Sequence, residues 1–328
     1  LGFDRVFDTN FTADLTIMEE GSELIQRINE GGRLPMITSC SPGWINYMEY
    51  FFPQLVEHLS TCKSPQQMFG AVIKTYYADK AGIPAENIFA VSVMPCTAKK
   101  YESQRPEMYS SGYRDVDAVL TTRELGAMLK EAGIDLLSCG EETFDQPFGA
   151  GSGAGAIFGN TGGVMEAALR TVYEILTGDE LDNLNFHQVR GLTGVKETSV
   201  KIGGREFSVA VVHGLGNIRK ILEDIDKGRS RYHFIEVMCC PGGCIGGGGQ
   251  PISKDPGIKE KRIAGLYRED EGLPVRKSHE NPAVQELYRE FLGHPLGHRS
   301  HELLHTRYRN RREQEYENHW KTDSLSKA

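Results

Sequence analysis

The pattern of apolar and polar positions indicates strands alternating with helices over most of the chain. Short apolar runs typical of buried strands cover Leu34–Thr38, Ile88–Met94, Val209–His213 and His233–Met238. Longer stretches with helical spacing cover Gly21–Glu30, Pro65–Ala81, Thr122–Ala132 and Gly163–Thr177. Strands that alternate with longer helical stretches predict an α/β fold with mostly parallel sheets flanked by helices.

The character of the chain changes after the turn signal Asp255-Pro256-Gly257. We therefore predict a main domain over residues 1–255, a segment of short polar helices wrapped on it over residues 256–312, and a polar tail over residues 313–328. Four histidines of the second segment are interpreted as solvated: His294, His298, His301 and His305.

Composition limits the function classes. The formal net charge of −8 over 328 residues gives no reason to expect nucleic acid or an anionic membrane as a partner. No apolar run approaches the roughly 20 residues that a membrane-spanning helix needs, so we expect no span. The chain opens at Leu1 with neither an initiator methionine nor a leader, which we read as a cytoplasmic protein trimmed from something longer.

The cysteines carry the clearest chemical signal. Cys40 and Cys96 each follow an apolar run, and Cys240 and Cys244 stand in a glycine-rich turn after another. Sites form at the carboxyl ends of parallel strands, and thiolates from several such ends suit an iron-sulfur cluster better than one small ion. The other three cysteines are interpreted as ordinary small buried residues: Cys62, Cys139 and Cys239.

Three motifs that contain these cysteines resemble the three signatures of iron-only (FeFe) hydrogenases: Thr38–Trp44, Met94–Glu102 and Glu236–Pro251. The resemblance runs from Leu1 to about Arg309. It implies two lobes with a cluster in the cleft between them, and the reaction 2H⁺ + 2e⁻ ⇌ H₂. Residues 1–255 would be the catalytic domain, truncated at its beginning, and residues 256–312 a segment like the family's small subunit. Electrons would come from ferredoxin or from an iron-sulfur or flavin partner subunit.

The resemblance also implies a six-iron H-cluster, composed of a 4Fe-4S cubane and a di-iron subsite with CO, cyanide and an azadithiolate bridge. Cys96, Cys240 and Cys244 match cubane ligands. Lys99 matches the ammonium that donates to a cyanide, with Glu102 placed to pair with it. Four further residues match the lining of the di-iron pocket: Met94, Met238, Gln66 and Phe158.

Cys40 matches the thiol that hands protons to the bridge nitrogen. Four residues match the relay from that thiol to solvent: Ser60, Glu20, Glu23 and Arg27. Titratable and hydroxyl groups at hydrogen-bond spacing are what a proton path through a dry interior needs.

One residue departs from the family pattern. The first motif usually has two adjacent cysteines, the proton donor and then a cubane ligand, whereas here Ser41 follows Cys40. Three explanations stay open: Ser41 ligates through oxygen, Cys40 shifts to become the ligand, or three thiolates hold the cubane. A non-catalytic or sensory relative with the same scaffold is the alternative function. A nucleotide-binding dehydrogenase is less favoured, because the glycines near Gly153 follow no clear strand.

The run Gly246–Gly249 lacks the ending of a phosphate-binding loop. We interpret it as a place where the backbone approaches the cluster closely.

Overall fold

The computed structural model describes residues 1–312, so the predicted tail at 313–328 lies outside the described residues. The strands are β1 (Met36–Ile37), β2 (Val91–Met94), β3 (Ala118–Thr121), β4 (Val195–Ile202), β5 (Arg205–His213) and β6 (Phe234–Met238). The helices are α1 (Asn10–Glu30), α2 (Pro42–Phe51), α3 (Pro65–Val72), α4 (Ala78–Ala81), α5 (Ala98–Glu102), α6 (Thr122–Glu131), α7 (Gly153–Ala156), α8 (Gly163–Thr177), α9 (Leu215–Asp226), α10 (Ile258–Gly272), α11 (Pro282–Leu287) and α12 (His298–Leu304).

Two sheets organise the molecule. The larger has the strand order β1-β6-β5-β4, and the smaller pairs β2 with β3. All neighbours are parallel except β4 and β5, which form a hairpin through Gly203 and Gly204. Both turn glycines have positive φ, the backbone conformation that a two-residue hairpin turn requires. The prediction of mostly parallel sheets flanked by helices is confirmed.

The predicted elements are largely present, with different bounds. The first helix begins at Asn10 rather than Gly21, and the predicted helix over Pro65–Ala81 contains a π-helical turn, Ile73–Tyr77, between α3 and α4. The sequence interpretation missed β3 and β4. Helix α10 is longer than the short polar helices expected in that region.

Helix α1 lies between two hydrophobic cores, which explains its length. Ile17 and Leu24 pack in the core formed with α8 and the larger sheet. Phe11 and Leu15 pack in a second core with α3, and Leu287 and Leu304 of the C-terminal helices lie in that same core. The C-terminal segment is helical as predicted, and it also completes a core rather than only covering one.

A buried ion cluster joins α10 to α8. Arg170 is fully buried and donates to both carboxylate oxygens of Asp270, at 2.8 and 2.9 Å, and to Glu166 at 2.8 Å. Arg276 donates to Asp270 as well, at 2.7 Å. Removing one partner of such a cluster leaves an uncompensated buried charge, which costs much more than losing an exposed pair.

Within residues 1–312, the structure contains no helix of the length and apolarity needed to cross a bilayer.

Arg170→Met should lower the free energy of unfolding of the cluster-free protein by about 3 to 5 kcal/mol, because it leaves the buried carboxylates of Asp270 and Glu166 without the Arg170 charge. The matched control is Arg219→Met, which breaks the exposed Arg219–Glu223 pair on α9 and should cost about 1 kcal/mol or less. Urea unfolding followed by circular dichroism measures both. Equal effects of the two substitutions would contradict the structural role given to Arg170.

Candidate metal centre

A cavity of about 620 Å³ lies between the two sheets, where loops from three strands meet. Met94 of β2 and Met238 of β6 line it from opposite sheets. The cysteines in its wall follow three strand ends: Cys40 after β1, Cys96 after β2, and Cys239, Cys240 and Cys244 after β6. Ser41 lines it too. The topology thus brings together thiols that are far apart in sequence.

The glycine run after Cys244 joins the second and third motifs. An added Cβ at Gly247 would lie 2.0 Å from the Pro95 carbonyl oxygen, and the backbone N–H of Gly249 donates to that same oxygen at 3.1 Å. Glycine is needed here because the backbone packs directly against the end of β2. The backbone packs against Pro95 at Gly247 and against Thr121 and Pro95 at Gly249, while its predicted close approach to the cluster stays a prediction.

Glu236 anchors β6 to the start of α8. Its buried carboxylate accepts hydrogen bonds from the backbone N–H groups of Gly162 at 2.6 Å and Met165 at 2.8 Å. These groups belong to the first turn of a helix, whose N–H donors have no partner within the helix. This anchor fixes the strand that leads into Cys239 and Cys240.

The three predicted ligand thiols interact electrostatically. Burial raises the pKa of Cys96. Burial, reinforced by the charge of Cys96, raises the pKa of Cys244 to about 12. A hydrogen bond from the Cys239 thiol lowers the pKa of Cys240 and raises the pKa of Cys239. A donor set of several sulfurs in one cavity fits soft iron-sulfur chemistry.

Lys99 brings a buried positive charge to the cavity wall. Its ammonium donates to Glu102 at 2.8 Å and to the Cys40 carbonyl at 3.0 Å. Glu102 also accepts from Ser64 at 2.9 Å and from the Gln66 amide at 3.3 Å. The carboxylate is therefore held by three donors and fixes the position of the lysine.

Cys40 and Ser41 face different neighbours. After burial, the charge of Glu20 is the largest influence on the Cys40 thiol and raises its pKa. The Ser41 hydroxyl oxygen instead accepts a hydrogen bond from the backbone N–H of Cys239 at 3.2 Å. Adjacent residues in extended backbone point to opposite sides, so the two side chains serve separate regions of the cavity wall.

A group of polar side chains lies between the buried Glu20 and the surface. Ser60 donates to Glu23 at 2.8 Å. Arg27 donates to Glu23 at 2.6 Å and is partly exposed. Burial, reinforced by the charge of Glu23, raises the pKa of Glu20 to about 8.

The remaining predicted pocket residues lie at the cavity. Phe158 lines it and packs against the core of the larger sheet, while Gln66 also accepts from Ser92 at 2.9 Å. Together with the two methionines they give the cavity a mainly apolar wall with few polar groups.

Sequence interpretation was wrong for three residues outside the predicted site. Cys239 lines the cavity, Cys139 is exposed, and His305 is buried. The His305 ring lies 3.1 Å from a Glu19 carboxylate oxygen and 2.7 Å from the Thr61 hydroxyl oxygen. The isolated bridge between Cys62 and His305 carries the histidine inward, a contact that helical spacing does not reveal.

Comparisons with known proteins agree with this geometry. Residues 1–248 match the sequence family described as the iron only hydrogenase large subunit, C-terminal domain, and residues 256–311 match the iron hydrogenase small subunit family.

Curated relatives include the NADP-reducing hydrogenase subunit HndD of Solidesulfovibrio fructosivorans, 56% identical over 94% of this chain and 54% of the relative. Iron hydrogenase 1 of Clostridium pasteurianum is 49% identical over 94% of this chain and 55% of its own length. The chain therefore spans about half the length of these relatives. A cytosolic Fe-S cluster assembly factor, narfl of Xenopus tropicalis, is 32% identical over 94% of this chain and 67% of its own.

Solved structures match over most of their length. A structure of HydA(deltaEFG) that concerns stepwise H-cluster assembly superposes with a TM-score of 0.83 at 47% identity, over 94% of this chain and 85% of the other. The apo form of HydA1 from Chlamydomonas reinhardtii gives 0.82 at 46% identity, with the same coverage. Because the family match, the fold and the converging cysteines agree, the chain belongs to the iron-only hydrogenase family.

Proposed function

We propose that this chain is the catalytic part of a hydrogenase that interconverts protons, electrons and H₂ at a six-iron H-cluster. The observation that carries the proposal is the cavity itself. Soft sulfur ligands and a buried ammonium meet there in one mainly apolar space, and the charge of Glu20 acts on Cys40 in the cavity wall. Such a cavity suits a large anionic metal group that exchanges protons with solvent.

Cys96, Cys240 and Cys244 would hold the 4Fe-4S cubane, with Cys244 next to the di-iron subsite. When bound, the cluster supplies electron storage and the open iron site at which H₂ is made or split. Met94, Met238, Gln66 and Phe158 would surround the di-iron subsite with its CO, cyanide and azadithiolate groups. Their wall limits the access of water, which keeps electrostatic contacts inside strong.

Lys99 would orient the di-iron subsite by donating to a cyanide nitrogen. The lysine already has two acceptors, Glu102 and the Cys40 carbonyl, and an ammonium has three protons to donate. The third proton is available for a ligand. A charge-assisted bond in a dry site is stronger than one between neutral groups, so the lysine fixes both position and charge.

Cys40 would pass protons between the cluster and the chain Glu20, Ser60, Glu23 and Arg27. The pKa of Glu20, raised to about 8, keeps that carboxyl protonated near neutral pH, so it can donate to Cys40. The Ser60 hydroxyl, which donates to Glu23 in the structure, would turn to reprotonate Glu20, and its proton would be replaced through Glu23 by one taken from solvent. Arg27 contacts Glu23 and would hold it in place at the surface end.

The alternative is a non-catalytic or sensory iron-sulfur protein. The relative narfl, which is named a cluster assembly factor, is the observation that supports this alternative. The buried polar residues Glu20, Ser60 and Glu23 support catalysis, since electron transfer by a cubane alone needs no proton path. The electron partner is proposed to be ferredoxin or an iron-sulfur or flavin subunit, as the name NADP-reducing hydrogenase subunit of one relative suggests.

Cytoplasmic location stays a prediction, because another relative is named a periplasmic hydrogenase large subunit.

Lys99→Ala should lower H₂ evolution by the fully loaded enzyme roughly ten- to a hundredfold, since losing a charge-assisted bond costs about 1.5 to 3 kcal/mol. The control Lys100→Ala removes an exposed lysine paired with Glu124 and should leave turnover unchanged. Gas chromatography of H₂ with reduced methyl viologen measures both, and circular dichroism checks folding. Normal turnover with Lys99→Ala would place the essential cation elsewhere.

Glu20→Gln should lower turnover roughly a hundredfold or more, because it removes the carboxyl that exchanges protons with Cys40. The iron content should not change, since Glu20 is not a ligand in this account. Glu30→Gln, at the exposed end of the same helix, is the control and should behave like the unsubstituted enzyme. Loss of iron in Glu20→Gln would assign the residue a structural role instead.

The raised pKa of Glu20 also predicts a pH dependence of stability. The unfolded carboxyl titrates near 4.5 and the folded one near 8, so the folded state binds more protons between these values. Its contribution to stability is complete below pH 4.5 and is lost as pH rises toward 8. Urea unfolding of the cluster-free protein should therefore show a smaller decline over this range in Glu20→Gln. The same slope in both proteins would show that Glu20 titrates normally.

A further inference from the structure

We propose that Cys239 is the fourth thiolate ligand of the cubane and replaces the cysteine that Ser41 lacks. The inference rests on the proposed function, because it assumes that the cavity holds a cubane. It assigns a chemical role to a residue of the third motif for which the resemblance implies none, and it accounts for the departure at Ser41 without an oxygen ligand.

The first observation is the register of the sheet. Strands β1 and β6 are parallel neighbours, with Met36 opposite Phe234 and Ile37 opposite Ile235. The hydrogen bond from the Cys239 N–H to the Ser41 hydroxyl oxygen continues the same offset of 198 residues beyond the strand ends. Positions 41 and 239 are therefore adjacent in space, and a ligand lost from one can be supplied by the other.

The second observation is where the Cys239 sulfur lies. It lines the cavity, and Cys96, Cys240 and Cys244 lie in the same cavity wall. An added Cβ at Gly43 would lie 2.7 Å from the Cys239 sulfur, so the sulfur occupies the space directly over the first turn of α2. That turn follows Ser41, the position that the family ligand occupies.

The chemistry favours sulfur at this position. On ligation, the Cys239 thiol loses its proton to solvent and its sulfur forms a bond to the fourth cubane iron, with no change in oxidation state. Thiolate is the soft donor that iron-sulfur clusters prefer, whereas a serine hydroxyl is a harder and less acidic group. Cys40 is less suited, because Lys99 holds its backbone carbonyl and it is Ser41, not Cys40, that contacts Cys239.

The test uses the complete chain, reconstituted anaerobically with iron and sulfide and without the di-iron subsite. Iron and acid-labile sulfide are counted, and the reduced cubane is recorded by EPR. The set comprises the unsubstituted chain, Cys239→Ala, Ser41→Ala, Cys40→Ala, Cys240→Ala and the double variant Cys239→Ala/Ser41→Cys. Circular dichroism of each cluster-free protein checks that the fold is kept.

Cys239→Ala should lose most of its cluster iron or give an altered EPR signal, as Cys240→Ala should. Ser41→Ala and Cys40→Ala should keep four irons and the unchanged signal. The double variant should regain the cluster, because position 41 then supplies the thiol that position 239 has lost.

An unsubstituted chain that takes up no cluster overturns the proposed function, and this inference with it. If the unsubstituted chain has its cluster and Cys239→Ala keeps four irons with the same signal, only this inference is overturned. Loss of the cluster in Cys239→Ala without recovery in the double variant overturns it too, since the sulfur would then act through packing.

Discussion

The contact between the glycine segment and the Pro95 carbonyl is the constraint on which the site depends. It fastens the loop after β6 to the end of β2, a strand of the other sheet, by backbone contacts that no side chain could share. Cys96 belongs to one side of this junction and Cys244 to the other. A side chain at Gly247 would push the two apart, and the thiols would no longer lie in one cavity.

Cys40 and Ser41, the adjacent residues after β1, interact with different parts of the site. The charge of Glu20 acts on the Cys40 thiol, while the Ser41 hydroxyl contacts the backbone of Cys239 in the cysteine-rich loop. In the proposed mechanism, protons and the cluster would therefore meet the protein through neighbouring residues that do not compete. A Cys40 shifted into ligation would break this arrangement, because the same thiol would have to serve both the cluster and proton transfer.

Much of the site could be predicted from sequence, because parallel strands put their carboxyl ends at one edge and the motifs mark those ends. Lys99 and Glu102 could be paired from helical spacing alone. The hairpin partner β4 was missed although Gly203-Gly204 between two alternating runs is a hairpin signal. The position of Cys239 in the cavity wall was missed for a different reason. Its contact with Ser41 depends on the register of β1 and β6, which no local sequence pattern indicates. The available clue was the doubled cysteine at 239–240 in a chain whose first motif had lost one.

The buried position of His305 likewise arises from a long-range contact, here with Glu19 of α1, and residue type alone favoured the surface. Local patterns therefore located the elements and the motifs. Pairings between distant segments determined which of the remaining polar residues lie inside.

The most direct test of the account is iron counting by Mössbauer spectroscopy, combined with H₂ evolution, before and after the di-iron subsite is supplied to the anaerobically reconstituted chain. The account predicts four irons without turnover before, and six irons with H₂ evolution from reduced methyl viologen after. A chain that holds its cubane, takes up the subsite and still evolves no H₂ would contradict the catalytic assignment. A chain that never binds more than four irons would instead support the non-catalytic alternative.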